Sequence, residues 1–213
     1  KTFTSILEWC KKKSYRFITL QECYAILSGK IRQEGKVAYL SFDDGWQSNL
    51  NLIPIIDKYQ APITIFVSID PLLSGNFWWE YALADGIELR NKMKLMSYKK
   101  FVSSLESLKK KYSLERSVLT EQELVKIASH PLVSIQSHTM SHPILTNCDD
   151  EILSYELNSS KAYLENLLHH KIEAFSYPNG NFSNREIEAV KKAGYKMAFT
   201  TEYIPIQINH TNL

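Results

Sequence analysis

Val37-Ala38-Tyr39-Leu40-Ser41-Phe42-Asp43-Asp44-Gly45 runs from a β-prone stretch straight into two adjacent carboxylates and a glycine. A short, mostly apolar run bounded by turn residues reads as a strand buried on both faces, as in a parallel sheet. Residues 37–42 have that form, and so do 63–67, 133–137, 174–177 and 197–200. Helical patterns lie between them. Leu50, Ile53 and Ile56 recur at helical spacing, with a kink expected at Pro54. Phe101, Leu105, Leu108 and Tyr112 form a second stripe, and Ile152, Tyr155, Tyr163 and Leu167 a long third one. Thr120 with Glu123, and Ser183 with Glu186, are spaced as capping boxes, and Gly194 stands where a helix would end. Residues 15–27 read as strand, turn and helix. Strand–helix alternation of this kind predicts α/β layering or a barrel. The segment 72–130 exceeds a single crossover and is expected to be a mostly helical insertion.

Composition narrows the function. The 213 residues are 44% hydrophobic and 23% charged, a globular balance that argues against disorder. Lys plus Arg total 25 and Asp plus Glu 23, a formal net charge of +2, so nothing points to nucleic acid. The lysine runs at 11–13 and 109–111 read as solvated helix faces. No apolar run approaches the roughly 20 residues of a membrane span, and no signal-peptide pattern opens the chain. Because the chain opens on Lys1 rather than Met, a longer parent is expected, and both a cytoplasmic and an envelope or secreted setting stay open. Cys10, Cys23 and Cys148 are odd in number and far apart, which predicts neither a disulfide framework nor a cysteine zinc site.

Three strand ends carry chemistry. At the first, one of the two carboxylates is suited to a metal while the other handles a proton; the plainer reading is an aspartate-capped turn. The third ends Ser137-His138-Thr139-Met140-Ser141-His142-Pro143. Two histidines four apart suit a metal, since neutral imidazole is a common ligand. The zinc-protease pattern needs Glu after the first His, and Thr139 stands there instead, placed to hold the loop backbone. In a parallel α/β fold the strand C-termini converge on one face. Asp44, His138 and His142 then form a two-imidazole, one-carboxylate set for zinc or another divalent transition metal, with Asp43 beside it as proton acceptor. The fourth strand ends Phe175-Ser176-Tyr177-Pro178-Asn179-Gly180, either an ordinary turn or one that aims a backbone N–H at a developing oxyanion. Phe77-Trp78-Trp79-Glu80 is expected to anchor the insertion more than to stack on sugar.

Ser41-Phe42-Asp43-Asp44-Gly45 resembles the TFDDG motif of the polysaccharide deacetylases, the NodB homology domain of carbohydrate esterase family 4. His138-Thr139-Met140-Ser141-His142 resembles that family's H(S/T)xxH, and residues 175–180 its RPPYG motif, in the same order. The resemblance spans roughly residues 15–202. It implies a distorted (β/α) barrel, a single catalytic domain over 1–213, and a hydrolase that removes N-acetyl groups from amino sugars of a polysaccharide or cell-surface glycan. It implies Asp43 as catalytic base and Asp44, His138 and His142 as ligands of a divalent metal, most simply Zn2+, with Co2+, Ni2+, Fe2+ or Mn2+ as alternatives. The backbone N–H of Asn179 takes the oxyanion position, and Tyr177, Pro178 and Trp46 line the sugar pocket. Three departures stand out. Ser176 replaces the family's Arg beside the base, Asn179 replaces Tyr, and the late tryptophan motif is absent. The family's LxH, source of a general acid, has only an echo in Ile208-Asn209-His210, and the chain ends three residues later, so the closing strand is expected to lie beyond it. The rival readings are a glycan-binding domain without turnover and a deacylase of another small amide or ester.

Overall fold

The computed structural model describes residues 2–202. Within them, seven parallel-paired strands follow in chain order, with helices in every connection except that from β2 to β3. Strands β1 (Tyr15–Ile18) and β2 (Lys36–Tyr39) pair with each other, while β3 (Ser41–Phe42), β4 (Ile63–Val67), β5 (Val133–Ser137), β6 (Ala174–Ser176) and β7 (Met197–Phe199) form a second sheet in that order. A parallel sheet wound in sequence order, with helices in the crossovers, is the topology expected of a distorted (β/α) barrel.

Alternation along the strands separates interior from outer layer. On β4, Ile63, Ile65 and Val67 join the large core beneath the helices, whereas Phe66 faces Leu20, Ala174, Met197 and Phe199. The rings of Tyr39 and Phe199 stack at 5.2 Å, so the edges of the two sheets meet through side chains. Burying a ring such as Phe66 contributes roughly 1.5–3 kcal/mol.

The single strand expected over 37–42 is two. β2 pairs only with β1 and β3 only with β4, and the chain changes sheets at Leu40, whose carbonyl accepts from Thr64 N–H at 3.0 Å. Hydrophobicity runs unbroken through the change because both halves are covered. The strands β6 and β7 each stop one residue short of the expected runs. Pro54 produces no kink: a 3₁₀ segment, Gln47–Leu52, precedes an α-helix over Ile53–Tyr59, and the proline sits in that helix's first turn, where a missing N–H costs nothing.

The helix Asp150–Leu168 fills the expected long stripe, and Asn184–Lys192 starts at the Ser183–Glu186 capping box. The insertion is narrower than expected. Helices α1 (Trp78–Asp85), α2 (Ile87–Met93) and α3 (Tyr98–Lys111) share their own cluster of Trp78, Tyr81, Met93, Phe101 and Leu108. The next helix, Glu121–Ala128, opens with the Thr120–Glu123 capping box, but its Leu124 and Ile127 pack into the main core. The cysteines are free and buried. Among the described residues, no helix is long and apolar enough to cross a membrane.

Candidate metal centre and cleft

Three strand ends deliver the candidate residues to one cleft of about 310 Å³. Asp43 and Asp44 come directly after β3, His138 and His142 after β5, and Tyr177 and Asn179 after β6. The backbone bends hard there. Asp44, Thr139, His142 and Asn179 all have φ between 55° and 79°, the left-handed region that non-glycine residues rarely adopt. Strain of this kind persists where surrounding contacts over-determine it, and it concentrates at functional sites. Gly45 continues the bend at φ 77°, and a Cβ there would stand 3.2 Å from a Val67 methyl.

One carboxylate oxygen of Asp44 lies 3.6 Å from His138 Nε2 and 3.4 Å from His142 Nε2, and donor atoms from the three residues all fall within 4.8 Å of one another. Bonds of 2.0–2.2 Å at tetrahedral angles space ligand atoms about 3.4 Å apart, so the set fits a small divalent cation. Tautomer supports the same fit. The Nδ1 of His138 lies 2.8 Å from the Ser176 carbonyl and donates to it, leaving the Nε2 lone pair turned toward Asp44. That is how a ligating imidazole is oriented. Burial, with the neighbouring His142, drives His138 down to about 3, which keeps it neutral. Burial pushes Asp44 up, but the hydrogen bond from His142, its pull with His138 and the Trp46 indole outweigh it, and its carboxyl falls below the usual range. The indole of Trp46 donates to Asp44 Oδ2 at 3.0 Å. Trp46 therefore braces Asp44 from outside the cleft lining.

Asp43 faces the same space. Burial and the Asp44 charge raise it to about 6 against the opposing hydrogen bond from Ser176. The Ser176 hydroxyl donates to Asp43 Oδ2 at 3.3 Å, so serine directly meets the carboxylate at the position where the related motif has arginine.

The loop between the histidines is held from both sides. Thr139 Oγ1 donates to the His138 carbonyl and accepts from His142 N–H at 3.0 Å. Behind it lies Glu156, 0% exposed, whose carboxylate accepts from Met140 N–H at 2.8 Å, Ser141 N–H at 2.9 Å and the Ser141 hydroxyl at 2.6 Å. Sequence pattern does not single out Glu156 as a site residue. It sits on the buried stripe Leu153, Leu157, Ser160 and Leu164, and a carboxylate on that stripe is the available signal. Glu156→Leu leaves the Met140 and Ser141 N–H groups without their acceptor, at a cost of about 1–3 kcal/mol each. It is also expected to weaken Zn2+ binding by about 10-fold, as loss of a ligand's supporting contacts does. Denaturant midpoints and zinc titration check both, and two unchanged values remove Glu156 from the site.

Other expectations fall differently. Tyr177 lines the cleft but is buried and stacks on Phe182 at 5.2 Å, so most of its ring is core. Pro178 is buried and does not line the cleft; Asn179 does. A Cβ on the adjacent Gly180 would collide with Thr201 Oγ1 at 2.0 Å, which keeps this turn glycine-specific. Trp78 and Trp79 both anchor and line. Trp78 ties the insertion to the loop, donating from its indole to the His142 carbonyl at 3.0 Å, and both rings line the cleft. Arg90 and Lys94 also line it, and sequence reading misses them because charges on a short helix look solvated. His210 lies outside the described residues.

A family model described as Polysaccharide deacetylase matches residues 30–198. Over 203 residues the chain is 25% identical to the Putative polysaccharide deacetylase YxkH of Bacillus subtilis (strain 168), covering 95% of this chain and 58% of that protein. It is 25% identical over 202 residues to the Poly-beta-1,6-N-acetyl-D-glucosamine N-deacetylase of Staphylococcus aureus (strain MSSA476), covering 94% and 59%. The chain thus spans less than two thirds of the length of these relatives. Among solved structures, Streptococcus pyogenes deacetylase PplD in complex with acetate superimposes with a TM-score of 0.70 at 24% identity, over 93% of this chain and 71% of that one. IcaB from Ammonifex degensii gives 0.67 at 19%, over 93% and 74%. These two likenesses concern the fold and identify it as the distorted barrel.

Proposed function

Because the chain belongs to the polysaccharide deacetylase family, we propose that it is a metal-dependent hydrolase removing N-acetyl groups from amino sugars of a polysaccharide or cell-surface glycan. The observation that carries this is the meeting of Asp44, His138 and His142 donor atoms within 4.8 Å, with Asp43 in the same cleft. The name of the Staphylococcus aureus relatives points to N-acetylglucosamine as the sugar. Candidate site residues arriving after three strands of one sheet support reading residues 1–213 as one catalytic domain.

Asp44, His138 and His142 hold the cation. Zinc is the proposed metal, since neutral imidazole and carboxylate in a small, tight set match its usual ligands; cobalt, nickel, iron and manganese are its competitors. When bound, the cation supplies Lewis-acid polarisation of the acyl oxygen and acidifies water. Asp43 accepts the proton of the attacking water, with the Ser176 hydroxyl holding its other lobe. The left-handed turn at Asn179 presents a backbone N–H to the oxyanion. Water adds to the acetamide carbon, the proton taken by Asp43 passes to the amide nitrogen as the C–N bond breaks, and acetate and a free amine leave in equal amounts.

Purified protein loaded in turn with each metal and given β-1,6- and β-1,4-linked N-acetylglucosamine oligomers is expected to release acetate and amine one to one, with release abolished by a chelator. Stoichiometric metal without acetate from any N-acetylated glycan would sink the hydrolase and favour a glycan-binding role.

A further inference from the structure

We propose that the glycan taken by this cleft carries an oxyanion, a phosphodiester or a carboxylate, on the sugar beside the scissile amide, and that Arg90 and Lys94 bind it. The inference rests on the deacetylase reading and names its substrate class. Arg90 and Lys94 stand four residues apart at the end of α2, on one helix face, and both line the cleft that holds the two aspartates and the two histidines. Their position is fixed. Asn147 Nδ2 donates to the Lys94 carbonyl at 2.8 Å, and the intervening Met93 is buried in the insertion's core.

Among the described residues both side chains meet only neutral acceptors. The Lys94 ammonium donates to Asn179 Oδ1 at 2.8 Å, and the Arg90 guanidinium donates to Asn91 Oδ1 at 2.9 and 3.3 Å. Both acceptors are neutral. Among the described residues neither cation forms an ion pair, whereas Arg185, Lys111 and Lys196 each meet a carboxylate. Nor, among the described residues, does either cation touch the two aspartates. Asp43 is held by Ser176, and Asp44 by Trp46 and the histidines.

Charge then decides the substrate. Asp43 and Asp44 balance Arg90 and Lys94, so a divalent cation in the Asp–His–His set leaves the cleft at net +2. A neutral glycan leaves that charge uncompensated, while a planar guanidinium with an ammonium beside it matches an oxyanion in shape and sign. The insertion that carries α2 thus becomes the element that selects substrate.

The test titrates zinc-loaded protein, in the cold and before any acetate appears, following tryptophan fluorescence, with three probes. These are a neutral N-acetylglucosamine tetramer, the N-acetylglucosamine–N-acetylmuramic acid disaccharide (carboxylate), and an N-acetylglucosamine oligomer linked through phosphodiesters. An anionic probe is expected to bind at least about 10-fold tighter than the neutral one, with a preference that shrinks as salt screens it. The tighter anionic probe identifies the oxyanion. In Arg90→Gln/Lys94→Gln the preference should fall to within about twofold, while the exposed Lys92→Gln keeps it. Equal affinity for all probes, or a preference surviving the double substitution, overturns the proposal. Acetate release on metal-loaded protein separates the two readings. Equal kcat/KM on neutral and anionic glycans sinks the anion site and leaves the deacetylase, whereas anion preference without any acetate supports the anion site and sinks the deacetylase.

Discussion

His138→Ala is expected to lower affinity for Zn2+ by at least 10- to 100-fold and to remove deacetylation. The imidazole is 1% exposed, and burial holds it near a pKa of 3, so it works as a lone-pair donor and not as a charge. Its Nδ1 is committed to the Ser176 carbonyl, which leaves Nε2 for a metal. Loss of a group that merely supports a ligand costs 10- to 100-fold in affinity, and loss of the ligand itself costs at least that. The catalytic loss has an electrostatic origin. Stabilisation of transition-state charge by about 3–5 kcal/mol corresponds to about 10²- to 10⁴-fold in rate. A truncated buried ring also disturbs packing, so Asp44→Asn provides the second arm. Asparagine tolerates the left-handed backbone that Asp44 occupies at φ 79° and still accepts from the Trp46 indole, yet it brings no charge. Elemental analysis after dialysis, beside acetate release and a thermal midpoint, checks both variants. Retained stoichiometric zinc in either variant, with the fold intact, would refute the assigned ligand set.

The parts of this site that are legible in the sequence are those where local pattern and global position coincide. A strand end in a parallel sheet lies on the face where the other strand ends converge, so apolar runs and the polar residues that terminate them are enough to find Asp43, Asp44, His138 and His142. The capping boxes at Thr120 and Ser183 are legible for the same reason, because both partners lie within one turn. The features that escape sequence reading depend on pairing between distant segments. The change of sheet at Leu40 has no local mark, since covered strands on either side are equally apolar. Pro54 reads as a kink if the helix starts before it and as a start signal if it does not, and the 3₁₀ segment Gln47–Leu52 decides. Glu156 reaches Ser141 across 15 residues of chain, and Lys94 reaches Asn179 across 85. Trp46 shows the converse case. Its place beside the motif makes it a candidate for the sugar pocket, and its indole donates to Asp44 at 3.0 Å, a contact that local pattern does not announce.

Asp43→Asn separates proton transfer from metal binding. Asparagine keeps the volume and an acceptor for the Ser176 hydroxyl, so the cleft should retain its shape. An amide does not take up the proton that attacking water must lose. A positioned general base contributes about 10²- to 10⁴-fold, and kcat/KM on N-acetylglucosamine oligomers is expected to drop by that amount. Zinc affinity should stay within about threefold, because the three donors at Asp44, His138 and His142 remain. This signature is opposite to that of His138→Ala, where metal and activity leave together, so the pair of variants tests two roles and not one fragile site. The serine beside the base makes the comparison sharper. A neutral hydroxyl at Ser176 orients Asp43 without fixing a charge next to it, so the loss on amidation reports the base itself and not the collapse of an ion pair. Activity within threefold of the parent would remove Asp43 from the chemistry and require the proton to leave by another group lining the cleft.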